Sequence, residues 1–186
     1  SKIPHSVFDV NPAPQLYNEV LKIAAAPDPE PRAQVQALSV LMERLLMEAT
    51  KAEQIAFSTL FARICYVGHR HSFQTATLQV LHAFRRVAAR TRQGHSATAR
   101  EVRLGVKALS ETILVLYQTA LPPELLPLLP PDGEWDFQPP DIWDFKALAR
   151  VVALRDEPEH HRLVVVDEDD PAREVYVLYN LPDRND

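Results

Sequence analysis

The sequence predicts a mainly α fold, a helical bundle of about five helices followed by a small antiparallel β segment. Three observations carry that expectation. Apolar residues recur at helical spacing in five windows before residue 120. Prolines, glycines and Ser/Thr caps fall between those windows. Beyond a proline-dense stretch, the pattern changes to short Val-rich runs.

Residues 1–12 read as an irregular lead-in. Leu16, Val20, Ile23 and Ala24 share one face of a helix over Pro14–Ala26, stopped by Pro27-Asp-Pro-Glu-Pro31 because proline lacks the donor a helix needs. A second helix begins near Pro31, where a first-turn proline is tolerated. It runs through Val35, Leu38, Leu41, Met42 and Leu45 to about Ala49. Thr50-x-x-Glu53 has the capping-box pattern and predicts a helix over 51–67 with Ile55, Leu60, Phe61, Ile64 and Cys65 inward. Gly68-His69-Arg70-His71 is the expected connection, and Ser72 the expected cap of a helix through Leu78, Leu81, Phe84 and Val87 to about Arg92. Gln93-Gly94-His95 breaks it. Thr98-x-x-Glu101, a second capping box, opens the last helix, which carries Val102, Val106, Leu109, Ile113, Leu116 and Tyr117 to about Ala120.

Seven of the twenty residues Leu121–Pro140 are proline, which predicts a spacer or clamped surface loop without regular structure. Its aromatic residues Trp135, Phe137, Trp143 and Phe145 can either anchor it to the helices or engage a groove elsewhere. Ala147–Arg155, Leu163–Asp167 and Glu174–Tyr179 then read as three strands of a meander. The organisation is therefore 1–120 helical domain, 121–146 Pro-rich spacer, and 147–186 β segment. Three strands have no core of their own, so the β segment is read as the start of a further domain and the chain as part of something longer.

Charge is divided along the chain. The formal net charge is −5, yet residues 1–120 hold 14 basic and 9 acidic side chains while residues 121–186 hold 6 and 16. The positive part is concentrated in nine cations, Arg63, Arg70, Arg85, Arg86, Arg90, Arg92, Arg100, Arg103 and Lys107, interrupted by Glu101 alone, with His69, His71, His82 and His95 among them. Such a run suits phosphate contact. Arg85, Arg86, Arg90, Arg92, Arg100, Arg103 and Lys107 are the candidate nucleic-acid-binding residues. The same run also suits docking on the acidic Asp167-Glu168-Asp169-Asp170 or on a partner protein, or a solvated face.

Other chemistries find less support. The four glycines, Gly68, Gly94, Gly105 and Gly133, form neither a dinucleotide fingerprint nor a P-loop, and no cofactor is expected. Cys65 is the single cysteine, read as a buried, unreactive thiol in a reducing cytoplasmic setting. His69, His71 and His160-His161 lack the companion ligands of a zinc site and are read as exposed loop residues, so no metal is expected. No apolar run is long enough to span a bilayer, and residues 1–9 lack the apolar stretch of a secretory signal; no membrane partner is expected. Arg90 and His95 admit two readings. They can form a phosphate-cleaving pair, the imidazole acting on the 2′-hydroxyl or leaving oxygen and the guanidinium on developing charge. They can equally be a helix terminus closed by Gly94.

Leu60-Phe-Ala-Arg-Ile-Cys-Tyr-Val-Gly-His-Arg-His71, Leu81-His-Ala-Phe-Arg-Arg-Val-Ala88, His95 and the helix through Leu109-Ser-Glu-Thr-Ile113 to Tyr117 resemble a HEPN-type helical domain. The likeness is greatest to the variants found N-terminal to bacterial superfamily-one DNA/RNA helicases and in restriction-enzyme subunits. The ending Tyr179-Asn-Leu-Pro-Asp-Arg-Asn-Asp186 resembles the segment C-terminal to the helical domain in such helicases. The resemblance covers about residues 30–120 and, more weakly, 145–186. It implies an accessory module of a nucleic-acid-processing protein, a parent that is an ATP-dependent helicase, and a homodimer as a candidate state. The catalytic members use an Arg followed after four to six residues by a His, a spacing that Arg90 and His95 match. Thr91 stands where an Asn, Asp or His commonly follows the Arg, which turns the expectation towards a non-catalytic domain, with a metal-independent ribonuclease as the alternative and a protein-interaction module as a third reading.

Overall fold

A computed structural model describes residues 10–53, 56–57 and 59–135, and the backbone alone over 151–157, 160–167 and 170–180. Among the described residues the fold is mainly helical. Five α-helices run over Ala13–Ala24 (α1), Pro31–Thr50 (α2), Leu60–Arg70 (α3), Thr75–Arg92 (α4) and Ala99–Tyr117 (α5). The backbone is extended over Ala56–Phe57 (β1), Val151–Glu157 (β2), His160–Asp167 (β3) and Asp170–Asn180 (β4), paired antiparallel in the order β1-β4-β3-β2.

Several helix boundaries differ from expectation, each for a local reason. Thr50 closes α2 instead of opening the next helix. Its hydroxyl donates back to the Leu46 and Met47 carbonyls at 3.1 and 3.2 Å, its oxygen accepts from Arg63 Nη1, and Lys51 keeps a helical backbone behind it, so it does not act as an N-cap. The cap of α3 is Thr59, whose Oγ1 accepts from the Ala62 N–H at 3.0 Å. That shortens the helix expected over 51–67 at its start and carries it on through Gly68, His69 and Arg70. Ser72 does not cap α4: it adopts φ +55° in the turn, and Gln74 occupies the N-cap position. The second capping box holds. Thr98 Oγ1 accepts from the Glu101 N–H at 3.2 Å, and Glu101 Oε1 accepts from the Thr98 N–H at 3.0 Å. Within the spacer, Pro123–Leu128 forms a 3-10 helix, so this stretch is more regular than expected. Its Leu125 is fully buried.

The core lies where α5 meets α1, α2 and α4, with Leu38, Met42, Leu46, Leu81, Phe84, Leu104, Leu109, Ile113 and Leu116 closed to solvent. Gly105 sits at its tightest point. A Cβ built there would lie 2.6 Å from Phe84 Cε1 on α4 and 2.9 Å from Leu38 Cδ1 on α2. Tyr17 ties the first helix to the end of the last. Its hydroxyl donates to the Thr119 carbonyl at 2.6 Å, and burial pushes that phenol up to about 12. Asn11 Nδ2 reaches Thr119 Oγ1 at 2.9 Å, so the chain preceding α1 is joined to the same corner.

The Gly105 contact sets a stability test. Gly105→Ala gains helix propensity but overpacks the junction, so a net destabilisation of about 1–3 kcal/mol is expected in urea unfolding. A neutral or stabilised variant would show that the helices move apart at little cost.

Candidate functional site

The seven cations expected to form one phosphate-binding surface go to different places. Arg85 turns inward. It is half-buried, its Nε donates to His82 Nδ1 at 3.2 Å, and its guanidinium lies 5.2 Å from the Phe61 ring centroid. Arginine is a donor only, so His82 Nδ1 is the acceptor and the ring proton sits on Nε2. That nitrogen faces Cys65 Sγ at 3.8 Å. His82 is 1% exposed, and burial, followed by the Arg85 and Arg86 charges, holds its pKa well below 6.5. By sequence this histidine falls within the basic run; in the fold it is a neutral core group. Cys65 is buried beside it, as expected of an unreactive thiol. His71, read as an exposed loop residue, is also buried, whereas His69 is exposed.

The α4 terminus carries Arg86, Arg90 and Arg92. Arg90 is exposed and reaches Glu101 Oε2 at 3.4 Å, the carboxylate that also caps α5. Arg92 approaches Ser39 Oγ at 3.5 Å, the limit of a hydrogen bond. The His95 N–H donates to the Arg90 carbonyl at 3.0 Å, and Gly94 takes φ +97°, so this segment is a helix terminus closed by a left-handed glycine. The His95 side chain is exposed. Neither it nor Arg90 lines the clefts between α5 and residues 121–134, along the outer face of α2, or between α1 and residues 119–124.

Arg100, Arg103 and Lys107 do share a face of α5, and residues 121–135 lie across it as a strap. Arg103 Nη1 donates to the Pro127 and Leu129 carbonyls at 2.8 and 2.9 Å. Arg100 Nε pairs with Glu134 at 3.0 Å and its guanidinium stacks 4.5 Å over Trp135, whose indole N–H donates to the Arg100 carbonyl at 3.3 Å. Lys107 pairs with Glu111 at 3.4 Å. The covering segment is thus the spacer itself, with Trp135 as its anchor. Phe137, Trp143 and Phe145 lie outside the described residues, as do the side chains of His160, His161 and the acidic Asp167–Asp170, the expected intramolecular dock.

Two further features had no clear signal in the sequence. A cleft of about 250 Å³ opens between α5 and the strap, with Lys107, Ser110, Glu111 and Leu114 on one wall and Leu129, Pro130, Pro131 and Asp132 on the other. Ser110 reads as an ordinary mid-helix serine, and Asp132 as one spacer acid among several. A shallower cavity of about 710 Å³ lies along the outer face of α2 beside Val40, Arg44, Met47 and Arg63. Val40 and Met47 there are 62% and 56% exposed. Among the described residues no group of three or more His, Cys, Asp or Glu side chains is placed to hold a metal ion, and no helix is long and apolar enough to cross a membrane. No family model matches the chain, and neither does a curated protein or a solved structure.

The His82 cluster generates a pH test. The unfolded imidazole titrates near 6.5 and the folded one well below it, so the unfolded state binds the proton first. The contribution is complete above about pH 6.5 and is lost as pH falls towards the folded value, with a slope of up to about 1.4 kcal/mol per pH unit. His82→Gln should flatten the difference in unfolding free energy between about pH 7.5 and 5.5. An unchanged slope would place the acid sensitivity elsewhere.

Proposed function

We propose that this chain is a non-catalytic helical module that mediates association within a larger nucleic-acid-processing protein, of the helicase kind that its HEPN-like residues resemble. The observation that carries the association is the outer face of α2. Val40 and Met47 lie two turns apart on it, both mostly exposed. Charges of both signs surround them: Glu43, Glu48, Arg44, Lys51 and Arg63. Arg44 pairs with Glu19, and Arg63 donates to Thr50 Oγ1 at 2.5 Å while covering Phe57 at 4.4 Å. The polar border is therefore largely held in place around an open apolar strip. An apolar centre inside a polar rim is the anatomy of a protein interface. A surface with both signs can meet its own copy about a two-fold axis, so a homodimer is the first partner to test. The antiparallel β segment belongs to the same proposal, as the start of the parent's next domain.

Sedimentation velocity over about 1–100 μM should show concentration-dependent dimerisation, abolished in the Val40→Glu/Met47→Glu double variant with its helical circular dichroism intact. A wild-type chain that stays monomeric throughout would remove the homodimer.

Nucleic-acid engagement stands as a second reading because Arg90 and Arg92 still present an exposed basic corner at the end of α4. With only these two cations exposed together at that corner, binding should be weak, fall with salt with a slope of only about 2, and disappear in Arg90→Ala/Arg92→Ala. No detectable binding to single-stranded oligonucleotide at low salt would end this reading. The ribonuclease alternative has the least support, since Arg90 is paired with Glu101 and His95 is exposed at a capped helix terminus.

A further inference from the structure

The cleft beneath the strap holds two polar groups that the fold leaves without partners. Ser110 is 6% exposed and its Oγ makes no hydrogen bond among the described residues; an unpaired buried hydroxyl is unfavourable and is normally satisfied. Asp132, on the opposite wall, is exposed and joins none of the ion pairs among the described residues. The other acids of the lining are already engaged. Glu111 accepts from Thr77 Oγ1 at 2.8 Å and from Lys107, and Glu134 pairs with Arg100. Three carboxylates against the single Lys107 make the lining net negative, which opposes an anion. The lining also carries apolar side chains: Leu114, which is 47% exposed, with Leu121 and Leu129.

We propose that this cleft binds a primary ammonium group carried on an aliphatic stem. Such a group offers three N–H donors and no acceptor, which matches the free Asp132 carboxylate and the unpaired Ser110 hydroxyl. A stem of four or five methylenes suits both the leucine-lined walls and the volume of about 250 Å³. The shared chemistry has two sources, a free alkylamine or the lysine side chain of another polypeptide. The site involves none of the α2 residues, so it stands or falls independently of the association proposed above.

The test is titration of the full chain with pentylammonium, followed by calorimetry or by amide chemical shifts. Pentanol serves as the uncharged control and pentanoate as the anionic one. Saturable binding is expected with a dissociation constant on the order of 1 mM, as suits so small a ligand, and at least about tenfold tighter than for either control. Asp132→Asn should weaken it about tenfold. Ser110→Ala should weaken it too while leaving Tm unchanged or raised, because the hydroxyl removed has no partner in the fold. Nα-acetyl-lysine methylamide distinguishes the sources. Binding as tight as pentylammonium identifies a lysine side chain as the ligand, and much weaker binding identifies a free amine. Absence of saturation at about 10 mM, equal binding of pentanol, or an Asp132→Asn variant with unchanged affinity would overturn the proposal.

Discussion

The close approach at Gly105 is the constraint on which the rest of the helical fold depends. With no side chain there, α5 comes near enough for Phe84 from one neighbour and Leu38 from another to meet over its backbone. This fixes more than a distance. It sets the rotation of α5 about its own axis, because only the Gly105 side can face that junction. At about 100° per residue, Arg100, Arg103, Lys107, Ser110 and Leu114 then lie roughly opposite Gly105. The face that receives the strap and forms the cleft is thus set by the packing of a glycine a helix-width away. The buried positions agree: Leu104, Ala108, Leu109, Thr112 and Leu116 are closed to solvent on the junction side.

The strap in turn explains why this face is cationic. A proline-dense segment has carbonyl acceptors but few backbone donors, so it cannot satisfy itself through secondary structure. Arg103 supplies two donors, both from Nη1, to the Pro127 and Leu129 carbonyls, and the planar guanidinium holds them in a fixed geometry. Arg100 does a different task, joining a carboxylate, a ring and a backbone carbonyl at the strap's far end. Its ion pair is exposed and contributes little alone. Leu125 supplies the apolar anchor between α1 and the strap's own 3-10 helix.

The helices were legible in the sequence because each buries one stripe, and a stripe leaves a periodic record. Helix ends were legible only where the capping residue had no competitor. Thr98 had none, and its box with Glu101 forms as the pattern implies. Thr50 had one: a hydroxyl at the end of a helix can bond back to the carbonyl four residues earlier, and the backbone of α2 was already there. The candidate site was harder to read because a charge count along the chain says nothing about direction. Arg85 and Arg86 are adjacent in sequence, yet the guanidinium of Arg85 is turned onto a buried histidine and an aromatic ring. His82 gave conflicting signs: the helix period places it beside Leu78 and Leu81, while its residue type points to solvent. Ser110 and Asp132 come together only through the return of the strap along α5, a tertiary event without a local signature.

The division of charge along the chain therefore has a concrete meaning over the described residues. The basic run and the acidic spacer meet at Arg100 and Glu134, but Arg103 joins the two halves through backbone carbonyls, which carry no formal charge. A cation bonded to carbonyls neutralises nothing in the formal count. It loses its availability to an outside phosphate all the same, because its donors are taken and its position is fixed. Net charge thus overstates the polyanion-binding capacity of a segment whose arginines serve as donors to a proline-rich chain. Among the described residues the open surfaces include an apolar strip on α2, a basic corner at the end of α4, and a net-negative cleft. Of these, the α2 strip and the cleft have the concave form that holds another molecule, which is why association and amine recognition arise from the geometry more directly than catalysis does.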